Sequence, residues 1–422
     1  MHEVDIAIIG AGAAGLAAAY RLRAEAVSVV VLEARDRVGG RAWTIRDPIS
    51  DLPLDLGCGW LHSADENEWA QMAPERGFAV DRSPPPWGKQ SGGRGFAADE
   101  LQEFRATRAR LWERADAAAD VDPDRAAATL LEAGNRWNGL IDATSTYING
   151  VELAQLSLRD FGRYRDTEVN WRVREGYGAL IASIADGDIR FETPVTRIDH
   201  AGARLRIETA RGVVSARAAI VAVPPTILAD ETLRFSPALP DKVDAARALP
   251  LGLADKLFLR IEKPEELPSD GHLYGATDRT GTGSYNLRPL GRPLIESYFG
   301  GAFARALEAE GKAGFAAVAL DQLAALFVNE IRTRLTPIVA TAWDRDPWAR
   351  GSYSYAKVGE ADARGRLAQP VEERLFFAGE ACSRHDFSTA HGAYRTGIAA
   401  AECALAALAI RTSPRTHEGP DS

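Results

Sequence analysis

Gly10, Gly12 and Gly15 stand within Gly10-Ala11-Gly12-Ala13-Ala14-Gly15 at the spacing used to hold a pyrophosphate. In such a turn the first glycine permits the sharp bend. The second lets the backbone approach phosphate, and the third lets a helix pack closely on a strand. Glu33 follows about 20 residues later, where a carboxylate takes the ribose hydroxyls. Two other residues invite chemistry. Lys256 interrupts the apolar, strand-like run Leu249 to Arg260. Burying an ammonium is costly, so on the residues alone Lys256 is expected to snorkel to solvent unless it has a task. His62, after Trp60-Leu61, reads on the same footing as a packing histidine and only a candidate for the site.

The elements needed around the glycines are present. Val4–Ile9 is a β-rich apolar run, Leu16–Leu22 is rich in alanine and leucine, and Ser28–Leu32 is a second apolar run ending at Glu33. These read as strand, helix and strand, with the helix N-terminus offering free N–H groups to phosphate. Together they imply that the chain binds an adenine dinucleotide.

Composition narrows the class. The 422 residues are 46% hydrophobic and 26% charged, which predicts a globular protein of two domains. A formal net charge of −9 argues against nucleic acid as a partner and suits a cationic small substrate. Cys58, Cys382 and Cys403 are few, distant and odd in number, with no CxxC pair. That predicts neither a disulfide framework nor a metal site, and a reducing compartment. No run reaches the ~20 apolar residues of a membrane span. The chain enters its first strand without a secretory leader, so the expected location is cytoplasmic, with no membrane partner.

Further along, Ser83–Gly95 is rich in proline and glycine and reads as a loop, and Asp99–Gly134 as two or three helices. A helix is expected from Tyr177, then strands near 189–198, 205–209 and 219–223, the last stopped by Pro224-Pro225. Tyr274–Tyr298 reads as glycine-rich strands, 302–335 as helix, and Arg374–Phe377 as a strand ending in Gly379-Glu380. A final helix follows Thr389-Ala390-His391-Gly392, and 412–422 is a polar, flexible tail.

Several blocks share a family likeness. "EARDRVGGRAWT" (33–44), "DLGCGWLH" (55–62), "GYGALIASIA" (176–185), "GLADKLFL" (252–259), "TAWDRDPWARGSYSY" (341–355) and "FAGE" with "TAHGAY" (377–394) occur in order. The chain thereby resembles the flavin-containing amine oxidases, which include monoamine and polyamine oxidases and the lysine-specific histone demethylase. The resemblance implies an α/β fold: a Rossmann-like FAD-binding domain of the p-hydroxybenzoate hydroxylase type, with an interleaved α+β substrate-binding domain. By that likeness 1–80, 172–235 and 340–411 form the FAD domain, and 81–171 and 236–339 the substrate domain.

It also implies FAD at the fingerprint. Gly10, Gly12, Ala14 and Gly15 would serve the pyrophosphate, Glu33 the ribose, and Ala34, Arg35, Gly39, Gly40 and Arg41 the adjoining loop. Gly57, Gly59 and Trp60 would run beside the flavin, and the backbone at Val195 would meet the adenine. Gly379, Glu380, Thr389 and Ala390 would close the ribityl and ring end. Arg41 also offers a fork to phosphate. Around the reactive ring the family match gives Lys256 a role at flavin N5, Trp343 one against the ring, and Tyr353 one wall of an aromatic cage. Thr389 takes the place of the cage's second tyrosine, as in the histone demethylase, and His62 faces the substrate channel. Ser352 stands where monoamine oxidases carry a flavin-linked cysteine, so FAD is expected to be non-covalent.

The implied activity is oxidation of a small or medium amine: a monoamine, a polyamine, or an amino acid whose carboxylate one of several arginines would pair. A hydride equivalent leaves the α C–H, the imine hydrolyses, and dioxygen is reduced to hydrogen peroxide. Histone demethylation is disfavoured by chain length and acidity. A related desaturase or C–C oxidase, a non-catalytic flavoprotein and an NAD dehydrogenase are the rival expectations, and a homodimer is an open possibility.

Overall fold

The computed structural model describes residues 2–88, 94–327 and 329–412. Its larger sheet runs Arg234–Ser236, Val195–Asp199, Leu205–Thr209, Gly212–Val221, His2–Ile9, Val29–Leu32 and Ile189–Arg190, with Leu375–Phe377 also paired to Gly212–Val221. The first strand is parallel to both neighbours. A parallel strand covered on both faces needs apolar residues at successive positions, which is why its buried part, Ile6–Ile9, reads as a continuous apolar run. Ile6 and Ile8 enter one core, and Ala7 and Ile9 the other. The last helix, Ala390–Thr412, packs on the first, Ala13–Leu22; a Cβ at Gly397 would lie 2.1 Å from the Ala14 carbonyl oxygen. Both ends of the described chain thus build one layer.

The second sheet is antiparallel: Gly271–Tyr274, Ser284–Leu287, Leu294–Gly300, Ala254–Ile261 and Leu335–Ala340. Period-two alternation sends Leu257, Leu259, Tyr285, Leu287 and Ile295 into a core closed by helix Gly301–Leu326. The opposite face carries Lys256. Helices Ala98–Asp116, Asn138–Asn149 and Leu158–Arg163 form a further lobe around Phe104, Trp137 and Phe161.

Some elements differ from expectation. Asp99–Gly134 yields one long α-helix, ending at Asp116 before Asp120-Val121-Asp122-Pro123-Asp124, which cannot continue it, and a short 3-10 helix at Ala127–Leu130; the next α-helix begins at Asn138. Pro224-Pro225 does not merely stop a strand. That strand ends at Val221, and Pro225 opens helix Pro225–Ala229, where a fixed φ suits the first turn. The helix expected to reach 335 ends at Leu326, and Leu335 starts a strand. Part of the Ser83–Gly95 loop (89–93) and the tail 413–422 lie outside the described residues. Among the described residues no helix is long and apolar enough to cross a membrane, and no cluster could hold a metal ion.

Candidate active site

At the end of the first strand Gly10 turns with φ +100, where a Cβ would lie 2.8 Å from the Ala222 carbonyl oxygen. Gly15 brings the helix onto that turn: its Cβ would sit 1.9 Å from the Gly10 oxygen. Gly12, by contrast, faces open space, with nothing within 4 Å of its would-be Cβ. The helix it precedes has no side-chain cap and no acid in its first turn, so its leading N–H groups await an anion. Glu33 is 3% exposed and accepts from the N–H groups of Ala11 (2.6 Å) and Arg35 (2.8 Å), which fixes its carboxylate at the strand end. The Gly39 N–H donates to the Ala11 carbonyl at 2.8 Å, laying the Gly39-Gly40 loop beside the fingerprint.

From there a cavity of about 980 Å³ runs to the antiparallel sheet and the helical lobe. Every residue singled out from the sequence lines it except Gly15, which acts one layer behind. Val195 borders the nucleotide end, and Trp60, Gly57 and Gly59 the middle. Gly379, Glu380, Thr389 and Ala390 come in from the C-terminal side. Arg41 differs from its expected part. Its Nη1 donates to the Ser352 carbonyl and to Glu380, both at 2.8 Å, so this guanidinium ties two loops together rather than offering its whole fork to phosphate. Glu380 also accepts from Ser354 Oγ (2.6 Å) and the Ser388 N–H (2.9 Å). Burial opposes its charge, but Arg41, Ser354 and Arg364 outweigh that and hold the carboxyl below its ordinary value.

One wall of the cavity, from Lys256 at the reactive end outward, is built on one face of the antiparallel sheet. Lys256, Tyr298, Ser284 and Tyr274 are successive cross-strand neighbours, so their side chains share a face. His272 and Asn286 pair in the adjoining row. All six line the cavity.

Lys256 does not snorkel. It is 3% exposed; its Nζ donates to the Asp55 carbonyl at 2.8 Å and meets Glu296 Oε1 at 2.8 Å. Burial pulls its pKa down, but Glu296, Tyr298 and Asp55 reverse that and raise it above the ordinary lysine value. Lys256 is therefore a fixed cation. Tyr298 packs 4.8 Å from the ammonium.

Trp343 is held by its N–H to Asp255 (3.2 Å) and its indole Nε1 to the Leu56 carbonyl (3.3 Å). The Tyr353 hydroxyl donates to the Tyr147 carbonyl, which locks the ring. Thr389 is occupied locally: its Oγ1 donates to the Asp386 carbonyl (2.6 Å) and accepts from the Gly392 N–H (3.0 Å), capping the last helix. His62 bonds Asn170 Oδ1 through Nδ1 at 2.6 Å, and burial lowers its pKa, so it is a neutral group on the wall. Cys58, distant from Ser352 in sequence, also lines the cavity, but burial and Asp55 push its thiol up to about 12.

Sequence reasoning missed Tyr298, Glu296, Asn286, Asn170 and Trp87. The first two carried a signal: in Leu294-Ile295-Glu296-Ser297-Tyr298, period two puts Glu296 and Tyr298 on one face of an apolar strand.

The open face of Gly12, the uncapped helix and the pinned Glu33 fit the adenine-dinucleotide half of FAD, and the cavity continues past them to Trp343 and Lys256. Residues 81–405 match the family described as flavin containing amine oxidoreductase, and 8–75 an NAD(P)-binding Rossmann-like domain. This chain belongs to the flavin containing amine oxidoreductases. FAD is its cofactor, and it is a flavin-dependent oxidoreductase.

Among its relatives, polyamine oxidase 3 of Oryza sativa subsp. japonica is 30% identical over 95% of this chain and 89% of its own length. Lysine-specific histone demethylase 2 of Homo sapiens is 26% identical over 94% of this chain, which spans 53% of that protein. Among solved structures, a putrescine oxidase bound to putrescine superposes with a TM-score of 0.79 at 21% identity, over 96% of this chain and 99% of that one. Cyclohexylamine oxidase from Brevibacterium oxydans gives 0.78 at 23%, with the same coverage. These two carry the fold alone.

Proposed function

We propose that the chain oxidises an amine at its α C–H with dioxygen as the electron acceptor, yielding an imine that water hydrolyses and hydrogen peroxide. Bound FAD supplies the two-electron acceptor for that chemistry. The observation carrying the reading is the gathering of Lys256 with Trp343 and Tyr353, from two segments distant in sequence, around one cavity continuous with the nucleotide groove.

The chain's own residues bind and orient. Tyr353, locked on Tyr147, and Tyr298 present rigid faces to a substrate, while Trp60 and Trp87, with centroids 4.6 Å apart, narrow the wall on the His62 side. Such an apolar surround disfavours an ammonium and favours the neutral amine from which a hydride equivalent leaves. Orientation at this quality is worth ~7–11 kcal/mol of barrier at the ideal limit. Lys256 keeps positive charge at the wall, where it stabilises negative charge arising beside it. Cys58 lines the cavity, but its buried thiol is pushed up to about 12 and Ser352 stands at the place of the linking cysteine, which supports a non-covalent cofactor.

The likeness to histone demethylases, with a threonine at 389, favours one further candidate: an Nε-methyl-lysine peptide. Peroxide release from the FAD-loaded protein on monoamines, polyamines, amino acids and a methyl-lysine peptide tests the reading. Turnover of at least one class is expected; silence on all of them would sink it.

A further inference from the structure

The cavity's outer arm is lined by residues the reaction does not use. Helix Ala98–Asp116 presents Arg105, Arg108, Glu113 and Asp116 to it, one face at helical spacing. Arg105, Glu113 and Asp116 are exposed, as are Asp166 and Glu168, which also line the cavity. Water screens such charges. Arg108 is different. It is only partly exposed, it hydrogen-bonds the Tyr274 side chain, and its guanidinium lies 5.8 Å from the Phe104 ring. Among the described residues no carboxylate forms an ion pair with it within 4 Å, in a chain where most arginines have one. The groups sharing its arm are neutral: Ser284, Asn286 and His272, whose imidazole burial and the nearby Arg108 push down to about 3. A half-buried guanidinium facing neutral hydrogen-bonding groups is a receptor for an anion.

Its position bears on which anion. Tyr274 is three strands from Lys256 across the sheet, about 14 Å at the usual strand spacing. A carboxylate on the reacting carbon could not span that distance while its amine lies beside Lys256. We infer that the site takes an elongated amine whose far end bears a carboxylate, and that Arg108 is the residue selecting it. The inference rests on the amine-oxidase reading above and narrows it, favouring a long ω-amino acid over a diamine.

The test uses the FAD-loaded full chain and three matched series, from butyl to dodecyl: n-alkylamines, α,ω-diamines and ω-amino acids. The account expects kcat/KM for the ω-amino acid to exceed that of the alkylamine by about tenfold or more at the longer lengths. Arg108→Gln should cut that ratio by a similar factor, and Arg108→Glu should turn the preference toward the diamine. Because each result is a ratio within one preparation, partial unfolding does not mimic it. Alkylamine turnover with no carboxylate preference at any length, or a preference untouched by Arg108→Glu, overturns the inference and leaves the oxidase reading intact. Failure of all three series to be oxidised overturns both.

Discussion

Lys256 shows how one buried charge is made tolerable. The Asp55 backbone carbonyl and the Glu296 carboxylate accept hydrogen bonds from it, and Tyr298 covers it. Removing only the counter-ion should therefore be worse than weakening it. Glu296→Ala should cost about 3–5 kcal/mol, the scale for an orphaned buried charge, and Glu296→Gln clearly less; chemical denaturation of both variants reads the difference. Lys256→Met should keep FAD bound yet slow turnover or reoxidation by roughly 10²-fold, as loss of a preorganised charge does. Rapid-mixing traces identical to the wild type would refute the role. Since the pKa of Lys256 is raised, its charge persists through neutral and alkaline pH, and a pH–rate limb near neutrality has to come from another group. None of this pairing was legible from Lys256 itself. The apolar run Leu249–Arg260 advertised a lysine out of place, but its counter-ion lay forty residues on, in a strand whose register only the fold sets.

At the level of elements, the first strand–turn–helix unit was readable because its chemistry is local: spacing alone names the turn, the phosphate approach and the helix contact. Two glycines in it should separate cleanly. Gly12→Val points into open space, so it should leave the circular dichroism spectrum native while abolishing FAD retention. Gly15→Val drives a side chain into the Gly10 carbonyl and should lose the fold as well. Equal FAD content in Gly12→Val and wild type would contradict the placement. Non-local devices were not readable. Asp255 and Glu308 are 0% and 2% exposed, and their first oxygens hold Thr341, Trp343 and Asp344. Their second oxygens are buried with no other partner, and the two side chains hydrogen-bond, which requires a shared proton. That bridge fastens the Trp343 turn to helix Gly301–Leu326. Likewise Thr389, read from sequence as standing in the place of a cage tyrosine, also caps the last helix through Asp386 and Gly392, a role that depends on the loop's conformation.

For the whole molecule, the proton shared by Asp255 and Glu308 links stability to pH. Burial, then Glu308, raises the Asp255 pKa well above its ordinary 3.8. A raised carboxyl holds its proton in the folded state after the unfolded chain has lost it. Its contribution is therefore complete in acid and is lost as pH climbs through the raised value. In Glu308→Gln an amide replaces the shared proton, so the melting temperature should fall less between acid and alkaline pH than in the wild type; parallel curves would disprove the bridge. The α/β fold with its Rossmann-like unit was legible from six motif blocks in order, while the depth and charge of the cavity were not, because helix Ala98–Asp116 and the antiparallel strands that line the cavity with it meet only in three dimensions. The central claim is that these scattered segments assemble one FAD site at which an amine is oxidised. Its most direct test is the anaerobic visible spectrum of the purified chain titrated with amines. The account predicts a yellow protein releasing FAD on denaturation and bleached by at least one amine; a colourless protein, or bound flavin that dithionite reduces but no amine does, would contradict it.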